Sequence, residues 1–187
     1  MRKKALLTLT VLFFSVSLAG AENVGKVNLP DTLTVGDASL LLNGGGVRKK
    51  IGLKLYSGGL YLKAKNTDAR AIIAADAPMA IRLHITSGLI TSEKMIRAIN
   101  DGFENATQGH VAALQDEIAA FTHFFSAEIK DGDVFDLKYV PGKGVEAVKN
   151  GRSLGVIKGL AFKKALMGIW LCDKPADKRL KKGMLGK

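Results

Sequence analysis

The stretch that decides the fold is Leu42-Asn43-Gly44-Gly45-Gly46-Val47-Arg48, and Tyr56 follows it in the next extended segment. Three consecutive glycines suggest a phosphate-binding loop, but such a loop requires a Lys-Ser or Lys-Thr pair that opens a helix. Here Arg48 and Lys49 lead into extended chain instead. Glycines within a strand pair more often mark a bulge, or a point where a ligand or another backbone comes close. The triplet therefore predicts a bulge or a close approach, and it leaves a site around Arg48 open.

Arg48 is the first candidate site residue. It follows the apolar Val47, and Ile51 lies beyond the next two lysines. An arginine in this setting is either a solvent-facing strand residue or a planar clamp for a carboxylate or phenolate. The residues alone leave both interpretations open.

The chain on either side of the triplet is predicted to form strands. Between Val24 and Leu62, short apolar runs are separated by Pro30-Asp31 and Gly36-Asp37, dipeptides that are typical of hairpins. In the last of these strands Ile51, Leu53 and Leu55 alternate with Gly52, Lys54 and Tyr56. This alternation predicts that the first set faces the core and the second set faces the other way.

The rest of the chain predicts helices and strands in separate blocks. Thr67 is placed to cap a short helix that runs through Ala75, and Thr91 or Ser92 is placed to cap a longer one. Periodicity and turn residues predict strands over 79–85, 133–140, 144–149 and 152–157, and helices over 91–103, 111–125, 158–171 and 177–185. Antiparallel strands with segregated helices indicate an α+β fold.

The first 21 residues have the anatomy of a secretory signal peptide. Basic residues open the chain, an uncharged run from Ala5 to Leu18 follows, and Ala19-Gly20-Ala21 supplies small residues for a signal peptidase. The apolar run is shorter than the roughly 20 residues that a membrane helix needs. We therefore predict a signal peptide over 1–21, a single domain over 22–187 and a periplasmic location.

The C-terminal region carries much of the positive charge of a chain whose formal net charge is +11. Clustered lysines are most often a solvated face, although such a patch also suits an anionic membrane surface or a polyanion. Nucleic acid is not expected, because no aromatic residues interleave the cations and the chain is predicted to be exported. The basic residues in question are Lys174, Lys178, Arg179, Lys181, Lys182 and Lys187.

Other chemistry has little support in the sequence. Cys172 is the only cysteine, so an intramolecular disulfide is excluded and a half-buried core thiol is predicted. His84, His110 and His123 are scattered without metal-ligand spacing, so no metal is predicted. No Gly-x-Ser-x-Gly elbow occurs, which disfavours a serine hydrolase. We predict no cofactor.

Three segments carry a resemblance to a known family. The glycine-rich segment followed by Leu53-Lys54-Leu55-Tyr56-Ser57-Gly58-Gly59-Leu60-Tyr61-Leu62 resembles the start of chalcone isomerase-like proteins, and Thr91-Ser92-Glu93-Lys94 resembles the opening of their first long helix. The segment 162–182 resembles the ending of the family's bacterial exported branch. The resemblance implies an open-faced sandwich in which a large antiparallel sheet is covered by a helical layer, with a ligand cleft between them.

The resemblance also implies roles for individual residues. In plant chalcone isomerases, which close a chalcone into a flavanone, an arginine of the glycine-rich motif holds the oxyanion, and Arg48 falls on that arginine. Three other polar positions of those enzymes fall on Tyr56, Thr91 and Ala98, so the catalytic set is incomplete. In the fatty-acid-binding branch an arginine and a tyrosine hold the carboxylate, and Arg48 and Tyr56 resemble that pair.

These observations give one leading hypothesis and two alternatives. The leading hypothesis is a non-catalytic periplasmic protein that binds a small amphipathic anion, such as a fatty acid or an aromatic acid, with Arg48, Tyr56 and Thr91 as ligand-binding residues. The first alternative is an intramolecular lyase (isomerase) acting on a chalcone-like enone, with Arg48 and Tyr56 as its catalytic residues. The second is a surface or partner-binding protein that uses the basic C-terminus. The sequence does not predict an oligomeric state.

Overall fold

The computed structural model describes residues 21–187, so the predicted signal peptide lies outside the described residues except for Ala21, the first residue of a strand. The described chain forms β1 (Ala21–Val24), β2 (Val27–Pro30), β3 (Thr32–Val35), β4 (Ala38–Lys50), β5 (Leu53–Leu62), α1 (Ala69–Ala74), β6 (Met79–Ile85), α2 (Ser92–Ala106), α3 (Gln115–His123), β7 (Val134–Val140), β8 (Gly144–Lys149), β9 (Arg152–Ile157), α4 (Leu160–Leu171) and α5 (Lys178–Met184). A short 3-10 turn, Ala112–Leu114, precedes α3.

A large antiparallel sheet organises the molecule. It contains seven strands in the order β3-β4-β5-β6-β7-β8-β9, and β1 and β2 form a separate two-stranded ribbon. The main core lies between the sheet and the helices, where Leu83 and Leu137 meet Phe103 and Leu166. A smaller core lies under the ribbon around Leu29 and is continuous with the other face of the sheet. The predicted α+β fold with a helix-covered antiparallel sheet is confirmed.

The glycine triplet allows α5 to lie directly on β4. A Cβ atom at Gly44 would stand 2.2 Å from the carbonyl oxygen of Gly183, and one at Gly46 would stand 3.2 Å from the Cα atom of Leu180. Because such distances leave no room for a side chain, only glycine permits this backbone-to-backbone contact. The predicted close approach is confirmed, and its partner is another segment of this chain. The register also shifts between Leu42 and Gly44, as in a bulge.

The opposite face of the same strands holds the ribbon. A Cβ atom at Gly45 would stand 2.8 Å from Val24 and 3.0 Å from Leu29, and one at Gly59 would stand 2.8 Å from Leu29. The Ser57 hydroxyl donates a hydrogen bond of 2.8 Å to the carbonyl of Val24. The glycine-rich middle of β4 and the facing part of β5 are therefore covered on both faces.

The core face predicted for 51–55 is wrong at Ile51 and Leu53, whereas Leu55 is half-buried and packs against the main core. Ile51 is 93% exposed and Leu53 is 51% exposed, whereas Tyr56, on the face assigned away from the core, is only 1% exposed. The chain reverses at Ile51 and Gly52, whose φ angles are +50 and +76. The hairpin tip extends beyond the helical layer, so alternation at its end does not correspond to burial.

Two local predictions also shift. Pro30-Asp31 is not a hairpin turn, because β2 ends there and β3 joins the other sheet. The first helix is capped by Asp68 rather than Thr67, since the Asp68 carboxylate accepts hydrogen bonds from the backbone of Arg70 and Ala71. A carboxylate is a stronger acceptor for the free amides of a first turn than a hydroxyl is.

The C-terminal half follows the predicted pattern closely. Asn150 and Gly151 both have positive φ, +50 and +81, as the predicted Asn-Gly hairpin requires. Asp177 caps α5 and presents its carboxylate to the backbone of Arg179 and Leu180. No helix of the described chain has both the length and the apolar character needed to cross a membrane.

Candidate functional site

The site begins with a cross-strand pair in the β4–β5 hairpin. Arg48 and Tyr56 are register partners, and the guanidinium carbon of Arg48 lies 5.5 Å from the centre of the Tyr56 ring. Tyr56 is buried in the main core under the helices, and Arg48 is half-buried at its edge. The register shifts immediately after Arg48, and a bulge of this kind changes the direction in which a side chain points. The hairpin thus holds a cation over a phenol at the boundary between solvent and core.

Trp170 of α4 completes this polar group. Its indole Nε1–H donates a hydrogen bond of 2.9 Å to the Tyr56 hydroxyl oxygen. Burial raises the pKa of Tyr56, against smaller opposing effects from Arg48 and Trp170. The phenol therefore keeps its proton at neutral pH. Since the oxygen already accepts from Trp170, and no acceptor within residues 21–187 takes its proton, the O–H remains free to donate.

The guanidinium of Arg48 also retains free donors. In the described part of the chain it forms no ion pair, and its hydrogen bond to the Tyr56 hydroxyl lowers the pKa of Tyr56 less than the bond from Trp170 does. Asp177 lies close enough for its charge to interact with that of Arg48, but its carboxylate accepts backbone N–H bonds from Lys49, Arg179 and Leu180. Burial opposes these bonds, yet they leave the pKa of Asp177 below its ordinary value. Asp177 is therefore held in place as a helix cap.

Apolar side chains wall a small cavity around this group. Its volume is about 10 Å³, roughly the smallest volume that can hold one water molecule. In this conformation the site is closed, so a longer ligand enters only if the helices move away from the sheet. The walls come from the sheet and from α2, α3 and α4, and consist of Leu83, Met95, Ala98, Ile99, Phe121, Phe125, Leu137 and Ile169.

The structure brings together two of the three predicted site residues. Thr91 is not among the residues that line the cavity. It is exposed at the start of α2, where its hydroxyl accepts a hydrogen bond of 3.3 Å from the amide of Lys94. Ala98 does line the cavity, but its methyl group offers no hydrogen bond. The polar part of the site is thus Arg48, Tyr56 and Trp170.

Trp170 is the site residue that the sequence did not reveal. It lies 114 residues from Tyr56 in an apolar helix that reads as simple core. The available signal was that a buried indole N–H needs an acceptor, and Trp170 is the only tryptophan. The stripe of Phe121 and Phe125, predicted as core, is both core and cavity wall.

A much larger depression lies elsewhere on the described surface. It has a volume of about 1140 Å³ and is bordered by the start of α1, the end of α2, the α4–α5 connection and Lys187. Its walls mix cations and anions, and Arg70 and Asp173 stand 3.9 Å apart with both side chains more than four-fifths exposed. Exposed charges of both signs discriminate only weakly between ligands, so the geometry favours the smaller cavity at Tyr56 as the functional site.

Fold and site together define a class of protein: an antiparallel sheet under a helical layer, with a cation, a phenol and an indole meeting at an apolar cavity. The sequence profile described as chalcone isomerase-like matches residues 21–186. The chain therefore belongs to the chalcone isomerase-like family.

A solved structure supports the same fold. The chain is similar to a fatty-acid binding protein of Arabidopsis thaliana, with 18% sequence identity and a TM-score of 0.69. The similarity covers 89% of this chain and 95% of the plant protein. Among curated proteins, none matches the sequence.

Proposed function

We propose that this protein binds a small amphipathic anion, such as a fatty acid or an aromatic acid, and holds its carboxylate with Arg48 and Tyr56. One observation carries the proposal. Trp170 uses the acceptor side of the Tyr56 hydroxyl, so the remaining polar groups at the cavity, the Tyr56 O–H and the Arg48 guanidinium, are both donors.

A site with converging donors and no acceptor selects a negatively charged oxygen group. Arginine recognises a planar carboxylate with two parallel hydrogen bonds, and a phenol adds a third donor. A neutral alcohol would bring its own donor, which finds no acceptor here. The charge of the site thus favours an acid over an alcohol of the same length.

The cavity walls suit an apolar tail. They are aliphatic and aromatic, and Met95 among them is unbranched and adapts easily to a changed shape. Because the present volume is about 10 Å³, tail binding must open the layer between α2 and the sheet. Opening costs free energy, which reduces the affinity below that of a preformed pocket. The fatty-acid binding protein that shares this fold supports a ligand of this kind.

Decanoate binding to the delipidated protein tests the proposal. Trp170 is the only tryptophan, so its fluorescence reports directly on the site, and native mass spectrometry gives the stoichiometry. We expect saturable binding of one decanoate. Arg48→Gln should weaken it about thirtyfold, since a hydrogen bond to a charged group contributes about 2 kcal/mol.

Arg152→Gln is the matched control. Arg152 is exposed at the start of β9 and does not line the cavity, so the same change of charge should leave the affinity unaltered. If wild-type protein binds neither fatty nor aromatic acids saturably, or if Arg48→Gln and Arg152→Gln bind equally well, the proposed role of Arg48 is refuted.

The enzymatic alternative makes a different prediction. An intramolecular lyase acting on an enone requires donors placed on the developing enolate, and each lost donor costs on the order of a hundredfold in rate. Ala98 lines the cavity without a donor, and Thr91 does not reach it. We infer binding rather than turnover. Conversion of a chalcone faster than in buffer, abolished in Arg48→Ala, would establish the enzyme instead.

We also propose that the protein works in the periplasm of a bacterium, as a member of the exported branch of its family. The charge and apolar pattern of residues 1–21 supports this location. N-terminal sequencing of protein recovered from a periplasmic extract should begin at Glu22. Recovery only from the cytoplasm, with the chain beginning at Met1, would contradict export.

A further inference from the structure

The turn between β4 and β5 displays an isoleucine in a conformation that isoleucine disfavours. Ile51 has φ +50 and Gly52 has φ +76, so both occupy the left-handed region that suits Asn-Gly in a two-residue turn. A β-branched residue at positive φ is strained. The Ile51 side chain is also 93% exposed, so burial within this chain does not offset the strain.

A second destabilising feature, a pair of like charges, lies beside the turn. Lys49 and Lys54 are register partners on neighbouring strands, and like charges directly opposite each other destabilise a strand pair. Lys50 adds a third cation at the same tip. Residues that destabilise the local structure, without compensating contacts elsewhere in the fold, are expected to have a functional role.

Further apolar side chains accompany Ile51 at this end of the molecule. Leu53, next to the turn, is 51% exposed, and Leu89 is 50% exposed. The loop that carries Leu89 is attached to β5, because the amide of Thr86 donates a hydrogen bond of 3.0 Å to the carbonyl of Leu55. Single exposed apolar residues are ordinary on a protein surface, but here three of them share one end.

Cations surround these apolar residues. Lys94 donates a hydrogen bond of 3.0 Å to the carbonyl of Leu89, and the amide of Lys49 binds the Asp177 carboxylate, which brings the start of α5 to the tip. Within residues 21–187, six cations of this region form no ion pair. They are Lys49, Lys50, Lys54, Lys94, Lys178 and Arg179. The acids of this region include Asp177, which caps α5, Glu93, in the first turn of α2, and Asp133, which is paired with Lys149.

We propose that this end of the molecule, defined by residues 49–54 and Leu89, docks on an anionic lipid bilayer and inserts Ile51 below the headgroups. An apolar tip ringed by cations matches an anionic bilayer, whose phosphates attract lysine and whose acyl region accepts the isoleucine. A protein partner would instead need a packed patch of about 800 Å² on this side, which a narrow hairpin tip does not provide. Arg48 lies three residues from Ile51, so docking brings the cavity edge to the bilayer. The proposal does not depend on which ligand the cavity holds.

Vesicle sedimentation with the full mature chain tests it. Vesicles of phosphatidylcholine mixed with phosphatidylglycerol should bind the protein, whereas pure phosphatidylcholine vesicles and high salt should not. Ile51→Asn should weaken binding about tenfold. Because asparagine suits the turn better, the same variant should unfold at an equal or higher temperature. A loss of binding with a gain of stability cannot arise from misfolding.

Two pairs of variants give matched controls. Lys54→Glu removes the repulsion with Lys49 and should weaken binding on the order of tenfold, while Lys143→Glu, in the turn between β7 and β8 at the opposite end, should not. Val156→Asn, which changes another half-exposed apolar residue, should leave vesicle binding unaltered.

The following results would overturn the proposal. They are failure of the wild type to bind mixed vesicles, undiminished binding by Ile51→Asn, or equal loss in Lys54→Glu and Lys143→Glu. A dimer in solution that dissociates in Ile51→Asn would instead make the tip a contact between copies. Decanoate affinity measured without vesicles should be unchanged in Ile51→Asn, so failure of the docking proposal and failure of the ligand proposal remain distinguishable.

Discussion

The core contains two pairs of a cation and a tyrosine, and they differ in how their hydrogen bonds are used. Arg48 lies over Tyr56 at 5.5 Å, and Lys163 lies over Tyr139 at 5.4 Å, each measured to the ring centre. Both pairs contact α4, the first through Trp170 and the second through Lys163 itself. The two pairs thus share an architecture.

The polar groups of the Lys163–Tyr139 pair find their hydrogen-bond partners within the described chain. The Lys163 ammonium group donates to the carbonyls of Ile72, Ile73 and Ala75 at the end of α1. The Tyr139 hydroxyl donates to the Asp76 carboxylate at 2.6 Å. Every donor has a partner, so this pair stabilises α1 against α4. The pair of Arg48 and Tyr56 retains free donors. We infer that free donors, rather than a buried cation, are what distinguishes a binding site.

Matched substitutions of the two cations should produce the largest difference in stability between the pairs. Lys163→Met leaves three carbonyls at the end of α1 without their donor, and we expect the free energy of unfolding to fall by about 3 kcal/mol. Arg48→Met loses only the contacts with Tyr56 and should cost less than about 1 kcal/mol. Urea unfolding of both variants measures the difference. Equal losses would contradict the distinction between the pairs.

The pH dependence of stability should separate the pairs next. Burial, with a smaller contribution from Lys164, lowers the pKa of Lys163 from 10.5 to about 8, while Asp76 opposes the shift. The unfolded chain, with the higher pKa, therefore binds more protons between pH 8 and 10.5. The free energy of unfolding should therefore increase as the pH rises above 8, by about 1 kcal/mol between pH 8 and 9.

Lys163→Met is the control for this pH effect, because the variant has no group to titrate at that position. The free energy of unfolding of the variant should lack the rise between pH 8 and 9 that the wild type shows. A parallel pH profile in both proteins would assign the rise to other lysines.

A substitution of Trp170 should produce the smallest effect. It tests whether the indole N–H is what leaves the Tyr56 hydroxyl only as a donor. Trp170→Phe removes the N–H that occupies the Tyr56 oxygen. The phenol can then accept as well as donate, so selectivity for an acid over an alcohol should fall, with decanoate binding about threefold weaker. Isothermal titration calorimetry with decanoate and decanol measures both. Unchanged selectivity would mean that Trp170 has only a packing role.

Much of the fold could be predicted because its signals are local. The Asn150-Gly151 turn and the periodicity of α2 depend on neighbouring residues, and both were predicted correctly. The face of Ile51 was not, because alternation identifies two faces without saying how far the helical layer extends along them. The partner of the glycine triplet also remained open, since α5 follows β4 by more than 100 residues.

The site was predictable only in part. Arg48 and Tyr56 come from the glycine-rich segment and the next strand, where sequence pattern and family resemblance coincide. Trp170 is separated from its partner by 114 residues and Lys163 from its partners by about 90. Neither contact can be predicted from the neighbouring sequence. A lysine within a helix ordinarily suggests exposure, yet Lys163 is fully buried. The free-energy cost of burying it is partly offset by carbonyls that only the folded chain brings together.

The central claim is that Arg48 and the Tyr56 hydroxyl form a donor-only site for an anion. The indole N–H signal of Trp170 tests it most directly, because the single tryptophan gives one such NMR resonance and lies against the Tyr56 oxygen. We expect a saturable shift of this resonance on titration with decanoate and a much weaker response to decanol. An unmoved signal with decanoate, or the same response to the acid and the alcohol, would contradict it.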